Sequence, residues 1–172
     1  SKAYFIGWNS PTQVSPGTLF VTDGTPAGSA RIKQLANSPG SQNFYLTAFN
    51  GGLLFFDLDT VAGSGSALWS SDGTSGGTVR ITGGFTAGPG RIVTGGRMYF
   101  AASATGGATG QELWRTDGTA GGTALVSDIN PGSAGSSPAR GTDEGSTGAS
   151  QNVYFAATNA SVGEELYKMT NP

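Results

Sequence analysis

Short runs of apolar and aromatic residues recur along the chain, separated by clusters of glycine, asparagine, aspartate and threonine. Several runs alternate apolar with polar positions, as in Arg31-Ile32-Lys33-Gln34-Leu35. A period of two predicts β-strands that bury one face and expose the other. No segment has the periodicity of an amphipathic helix, so the sequence predicts an all-β protein.

One pattern occurs several times, and its most complete copy is Glu112-Leu113-Trp114-Arg115-Thr116-Asp117-Gly118-Thr119, followed by Gly122-Thr123. The copies are about 50 residues apart, a period typical of a propeller-like repeat with several strands per unit. The other copies are Leu68-Trp69 with Asp72-Gly73-Thr74, Leu19-Phe20 with Asp23-Gly24-Thr25, and Glu165-Leu166-Tyr167, which lacks the Asp-Gly-Thr.

The second repeat shows how the strands are arranged. Residues 44–49, 53–58, 67–71 and 78–82 predict four strands, called a to d, joined by turns such as Asn50-Gly51-Gly52. Four antiparallel strands in about 40 residues are typical of one propeller blade. The sequence therefore predicts a β-propeller of about four antiparallel blades. They fill a single domain of residues 1–172, with units at about 1–35, 36–82, 83–128 and 129–172.

The ends of this array leave two arrangements open. The terminal units close a four-bladed ring within one chain, or the chain supplies part of a larger ring or a longer array. Proteins normally cover open strand edges, which favours closure.

Composition and charge exclude several functions. The net charge is −2, and charged residues make up 12% of the chain, about half of the ordinary share of about 25%. The basic residues are scattered, which argues against a nucleic-acid partner. No apolar run approaches the about 20 residues of a membrane helix, so we expect no membrane insertion.

The candidate chemistry is equally limited. The chain has no cysteine and no histidine, which removes thiol catalysis and most nucleophile–base pairs. No two carboxylates converge in the way glycoside hydrolysis requires, so we expect a protein that is not an enzyme, with no catalytic residue and no cofactor. The aspartates of the Asp-Gly-Thr turns predict capped turns. Calcium at Asp23, Asp72 and Asp117 is the alternative, although one aspartate per turn makes a poor cage.

The loops predict where a ligand binds. In an up-and-down blade the short a–b and c–d turns leave one side, and the longer b–c and d–a loops leave the other. The longer loops are predicted at residues 8–17, 36–43, 57–66, 83–90, 102–111, 128–137 and 158–164. Loops positioned by a rigid scaffold commonly carry binding residues. Trp8 stands out because it breaks the repeat pattern: aligning Tyr4-Phe5 with Phe55-Phe56 puts Trp8 opposite Asp59. The regularly spaced Trp69 and Trp114 instead predict core positions. The predicted ligand-binding residues are Trp8, Asn9, Asn37, Asp59, Thr60, Asn130 and Asn159.

The block at residues 112–119 resembles the repeat family named for its Glu-Leu-Trp-x-x-Asp-Gly-Thr motif, and Asp128-Ile129-Asn130-Pro131-Gly132 resembles its usual continuation. That family occurs in large secreted or surface proteins of bacteria. The resemblance implies a propeller-like module in an extracellular setting, and it supplies no catalytic residues. The first copy departs from the motif at Leu19-Phe20, and the fourth lacks the turn.

These observations predict an extracellular, lectin-like module that binds a glycan or cell-surface polysaccharide through several similar weak sites. The alternative is a structural or adhesive surface protein that assembles with copies of itself as a homo-oligomer. A polysaccharide-cleaving enzyme is the least favoured alternative.

Overall fold

The structure is a computed structural model, and it describes residues 2–8, 17–36, 44–58, 65–107, 109–139, 142–143 and 152–170. These residues form antiparallel strands, and no helix occurs among them, which confirms the all-β prediction. The chain divides into two compact units, unit 1 at Ser1–Gly84 and unit 2 at Phe85–Pro172. This division falls beside the boundary predicted between the second and third repeats.

Unit 1 contains two groups of strands. The β1–β2 sheet has the order β1-β2-β3, and the β5–β6 sheet has the order β4-β5-β6 followed by the first part of β7. The bounds are β1 Ala3–Gly7, β2 Thr18–Thr22, β3 Ala30–Gln34, β4 Thr47–Phe49, β5 Gly52–Leu58, β6 Ser66–Ser71 and β7 Val79–Thr94.

Unit 2 repeats this plan. The later part of β7 with β8, β9 and β10 is called the β8–β9 sheet; together with the β5–β6 sheet it is one seven-stranded sheet of order β10-β9-β8-β7-β6-β5-β4, in which β7 is shared. The β12–β13 sheet has the order β11-β12-β13. The bounds are β8 Arg97–Ala104, β9 Glu112–Thr116, β10 Ala124–Ser127, β11 Thr142–Asp143, β12 Asn152–Asn159 and β13 Gly163–Thr170.

Every sheet has two faces with a recurring content, because successive residues of a strand point to opposite sides. One face, here the ring face, carries an aromatic cross-strand pair between strands b and c. These pairs are Phe5 with Phe20, Phe55 with Trp69, Phe100 with Trp114, and Phe155 with Tyr167. The opposite face, the leucine face, carries the next pair along: Ile6 with Leu19, Phe56 with Leu68, Ala101 with Leu113, and Ala156 with Leu166.

The hydrophobic core of each unit joins a leucine face to a ring face. In unit 1, Leu19 of the β1–β2 sheet shares one buried cluster with Phe55 of the β5–β6 sheet, and Ile6 and Trp69 pack against that cluster. In unit 2, Leu113 of the β8–β9 sheet shares a cluster with Phe155 of the β12–β13 sheet, and Tyr167 packs against it. The regular aromatic spacing is therefore a packing pattern, as predicted for Trp69 and its equivalents.

The sequence prediction of a loop at 83–90 is wrong, because β7 runs through this stretch without a break. A register shift between Ala87 and Arg91 takes up the Gly88-Pro89-Gly90 run. Phe85 anchors the stretch: its ring is buried and lies 5.0 Å from the ring of Trp114 and 5.8 Å from that of Phe100. The loop predicted at 158–164 is also wrong, because Asn159 pairs with Gly163 in a tight hairpin.

The strand register also corrects the alignment used for Trp8. Phe55, not Phe56, faces Trp69 as Phe100 faces Trp114. Trp8 therefore corresponds to position 58 rather than to Asp59. No closed barrel or propeller is found among the described strands, so the four-bladed ring remains a prediction.

Candidate functional site

The Asp-Gly-Thr turns have the same hydrogen bonds in all three copies. In the third copy, Asp117 Oδ1 accepts from Thr119 N at 2.9 Å and from Thr119 Oγ1 at 2.6 Å. Thr119 Oγ1 in turn accepts from Gly122 N at 3.0 Å. Asp23 with Thr25 and Gly28, and Asp72 with Thr74 and Gly77, repeat these contacts. The carboxylate therefore serves the turn itself, as predicted for a capped turn.

A second hydroxyl pair closes each turn and was missed in the sequence. The residue before the aspartate and the residue six positions after it are hydroxyl-bearing, and their oxygens lie 2.6–2.7 Å apart. The pairs are Thr22 with Ser29, Ser71 with Thr78, and Thr116 with Thr123. The repeated signal was present as Ser or Thr at both positions, which extends the motif to Ser/Thr-Asp-Gly-Thr-x-x-Gly-Ser/Thr.

The hydrogen bonds from Thr119 to Asp117, first its hydroxyl and then its backbone N–H, lower the pKa of that carboxyl below its usual value. Thr25 and Thr74 lower the pKa of Asp23 and of Asp72 in the same way. A lowered folded-state pKa stabilises the fold above the unfolded pKa of about 3.9, and this contribution is lost as the pH falls through the folded value.

We therefore expect the denaturant midpoint of unfolding to fall as the solution is acidified from about pH 5 to below the lowered pKa values. The matched control is the triple variant Asp23→Asn, Asp72→Asn and Asp117→Asn, which has no titrating turn carboxylate. Its midpoint should be lower near neutral pH and change less with pH. Equal pH slopes for the two proteins would contradict a stabilising role for these carboxylates.

In unit 2, a buried glutamate organises the segment after β10. Glu112 is fully buried, and its Oε1 accepts from Ser136 N at 2.8 Å. Its Oε2 accepts from Ile129 N at 3.0 Å and from Ser136 Oγ at 2.5 Å. These contacts satisfy a carboxylate inside the protein, where an unpaired charge is costly. Glu112 is therefore a scaffold residue.

Two predicted ligand-binding residues, Asn130 and Asn159, meet in the same network. Asn130 Nδ2 donates to Gly135 O, and its Oδ1 accepts from Ala160 N at 3.0 Å. Asn159 Nδ2 donates to Ile129 O, and its Oδ1 accepts from Ser161 N. The structure therefore brings together the segment after β10 and the turn between β12 and β13. Both amides are hydrogen-bonded within the fold, and a ligand role for them stays a prediction.

In unit 1, an ion pair lies beside a tryptophan. Lys33 Nζ is 3.3 Å from Asp57 Oδ2 and 4.2 Å from the centre of the Trp69 ring. The Asp57 side chain is almost completely buried, and it also accepts from Ala36 N at 3.1 Å. A buried carboxylate with a lysine, a backbone donor and an aromatic face together make a polar site beside the apolar cluster of unit 1.

Lys33 and Asp57 were not predicted as site residues, although the sequence contains a signal for Asp57. The rung that pairs Asp57 with Ala67 in the β5–β6 sheet pairs Ala102 with Glu112 in the β8–β9 sheet. At this equivalent position the carboxylate lies on strand b in the second repeat, as Asp57, and on strand c in the third, as Glu112. A repeat alignment in the correct register would have marked Asp57 as an exception to the pattern.

Trp8, the remaining predicted residue among those described, packs against the same core as Trp69. The indole N–H groups of Trp8 and Trp69 are buried and have no hydrogen-bond partner among the described residues. The equivalent Trp114 N–H donates to Ala102 O at 3.0 Å. In the described part of unit 1, two buried indole N–H groups therefore lack a partner at a core beside the Lys33–Asp57 pair.

The other predicted ligand-binding residues lie outside the described part of the chain: Asn9, Asn37, Asp59 and Thr60. Three of them come soon after described residues of the candidate site. Asn9 follows Trp8, Asn37 follows Ala36, and Asp59 is two positions after Asp57. The hydrogen bond between Ala36 N and Asp57 Oδ1 brings two of these described residues together.

Within the described ranges, no group of three acidic, histidine or cysteine residues is arranged to hold a metal ion. The described part of the chain also contains no helix of the length and apolar character needed to span a membrane. Comparison with known protein families and with curated proteins finds no match to this chain.

Proposed function

We propose that this protein is an extracellular carbohydrate-binding module, built from repeats that form a propeller-like array. The observation that carries the proposal is a pair of buried indole N–H groups, those of Trp8 and Trp69, which have no hydrogen-bond partner among the described residues and lie at one core beside the Lys33–Asp57 pair. The resemblance to the Glu-Leu-Trp-x-x-Asp-Gly-Thr repeats supports the extracellular setting. The equal register of the aromatic and leucine positions in four b–c strand pairs supports four equivalent repeat units.

The chemistry of this site suits a sugar. A pyranose ring offers apolar C–H faces that pack on aromatic side chains and hydroxyl groups that both donate and accept hydrogen bonds. An unpaired buried donor costs about 1–3 kcal/mol. A sugar hydroxyl that accepts from either indole N–H recovers that cost. Asp57 and Lys33 supply an acceptor and a donor beside Trp69.

The site makes a specific prediction for Trp8→Phe. The substitution keeps an aromatic ring and removes an N–H group that has no protein partner among the described residues. We expect the free energy of unfolding to stay the same or rise slightly, because an unsatisfied donor is lost. We expect affinity for the glycan identified on a glycan array to fall about threefold to tenfold, the value of one hydrogen bond. Titration calorimetry and chemical denaturation measure the two quantities.

The matched control is Trp114→Phe, because its indole N–H is hydrogen-bonded to Ala102 O. This variant should lose about 1 kcal/mol of stability and bind the glycan normally. Two outcomes would contradict the proposal. If the wild-type protein binds no glycan at high concentration, the proposed function is wrong. If Trp8→Phe binds the glycan as tightly as the wild-type protein does, the proposed site is wrong.

A further inference from the structure

Both units pack their sheets in the same way, a leucine face against a ring face. This pattern predicts which surface would cover a face of either kind that is left open. In each unit, the leucine face of the first sheet packs against the ring face of the second sheet. Leu19 meets Phe55 in this way in unit 1, and Leu113 meets Phe155 in unit 2. The same cross-strand pairs form both faces in every sheet.

Two faces of opposite kind are left exposed. On the β12–β13 sheet the leucine face is open: Leu166 is 72% exposed, whereas the equivalent Leu113 is 5% exposed. On the β1–β2 sheet the ring face is open: Phe5 is 46% exposed, whereas the equivalent Phe155 is 6% exposed. Both exposed faces keep the side chains that are buried at the equivalent positions, including the stacked rings of Phe5 and Phe20 at 5.3 Å. Exposed Glu164 and Lys168 flank Leu166 on the same face, so this face has an apolar centre with charged neighbours. Exposed apolar residues rimmed by polar ones mark interaction surfaces.

We propose that these two faces join copies of this chain head to tail. The open ring face of one copy, with Phe5 and Phe20, packs on the open leucine face of the next, with Leu166 and Tyr154. Leu166 then lies against Phe5 as Leu113 lies against Phe155 inside unit 2. The contact uses two different surfaces, so it is heterologous, and repeated contacts produce a closed ring or an open filament. This assembly needs no sugar, so it is independent of the proposed glycan site.

Solution mass tests the proposal. Light scattering of the wild-type protein should give masses above the 17.3 kDa of one chain, rising with protein concentration. Leu166→Arg should weaken association at least tenfold, because a charge at the centre of an apolar contact must be desolvated. Phe5→Arg should do the same from the other surface. Val79→Arg, at an exposed position outside both faces, is the control and should assemble as wild type.

A mixture of the two variants distinguishes head-to-tail assembly from symmetric pairing. Phe5→Arg retains an intact leucine face, and Leu166→Arg retains an intact ring face, so an equimolar mixture should form dimers that grow no further. Neither variant alone should associate. Circular dichroism must show folded protein in each sample, and Leu166→Arg is the safer change because its side chain is largely in solvent. The proposal is overturned if the wild-type protein is monomeric at every concentration, or if the mixture stays monomeric.

Discussion

Replacement of Glu112 by glutamine is expected to lower the free energy of unfolding by about 3–5 kcal/mol, since hydrogen bonds to a charged group contribute about 1.5–3 kcal/mol each. The carboxylate accepts three hydrogen bonds, from Ile129 N, Ser136 N and Ser136 Oγ. Glutamine has one acceptor oxygen and a donor NH₂ group. Either orientation of the amide places a donor against a donor in a fully buried site.

The fourth repeat provides the matched control for this substitution. Glu165 faces Ala157 across the same rung on which Glu112 faces Ala102, but its side chain is exposed. Glu165→Gln should therefore change stability by less than about 0.5 kcal/mol, as is usual for surface substitutions. Chemical denaturation of both variants measures the difference. Equal changes in the free energy of unfolding for the two variants would mean that the hydrogen bonds of Glu112 to Ser136 and Ile129 do not stabilise the protein.

The contrast between Glu112 and Glu165 shows what the sequence could and could not predict. Both residues precede the leucine of the repeat, and local sequence marks them as equivalent. Their environments differ because the segment after β10 folds back onto Glu112 and places Ser136 against it. That contact joins residues 24 positions apart, and strand propensity carries no information about it. The strands were predictable from their local apolar and polar pattern, and the Asp-Gly-Thr turns were predictable because their hydrogen bonds join residues close in sequence.

A packing contact between residues distant in sequence also explains why the loop predicted at residues 83–90 is wrong. Gly83, Gly84, Gly88 and Gly90 predicted a loop from local preference. Phe85 overrides that preference by packing on Phe100 and Trp114, and β-structure depends strongly on such context. The Lys33–Asp57 pair was missed for a related reason: the two residues lie on different sheets, so their contact depends on how the sheets pack. Trp8 was selected from the sequence because it breaks a repeated pattern, and its ligand role stays a prediction.

The turns contain a glycine whose role is steric. A Cβ atom at Gly122 would lie 2.0–2.2 Å from the carboxylate atoms of Asp117. Gly28 and Gly77 have the same close contact with Asp23 and Asp72. At Gly121, one position earlier, a Cβ atom would have no neighbouring atom within 4 Å. The first copy carries Ala27 at the position equivalent to Gly121, so the chain itself tolerates a side chain there.

We therefore expect Gly122→Ala to destabilise the protein by about 1–3 kcal/mol, because the added methyl group displaces the carboxylate from Thr119. At about 2–4 °C per kcal/mol, the midpoint of thermal unfolding should fall by roughly 2–12 °C. Gly121→Ala is the control: its effect should be neutral or a gain of up to about 1 kcal/mol, because alanine reduces the entropy of the unfolded chain.

Combining Gly122→Ala with Asp117→Ala separates steric overlap from any intrinsic effect of alanine on the turn. Asp117→Ala alone removes the acceptor of both Thr119 hydrogen bonds and should destabilise the turn. In that background the methyl group at position 122 meets no carboxylate, so adding Gly122→Ala should cost much less than it does in the wild-type protein. The two substitutions are then less than additive, as expected for residues in direct contact. Additive losses would mean that the glycine is required for its backbone conformation and not for the space that Asp117 occupies.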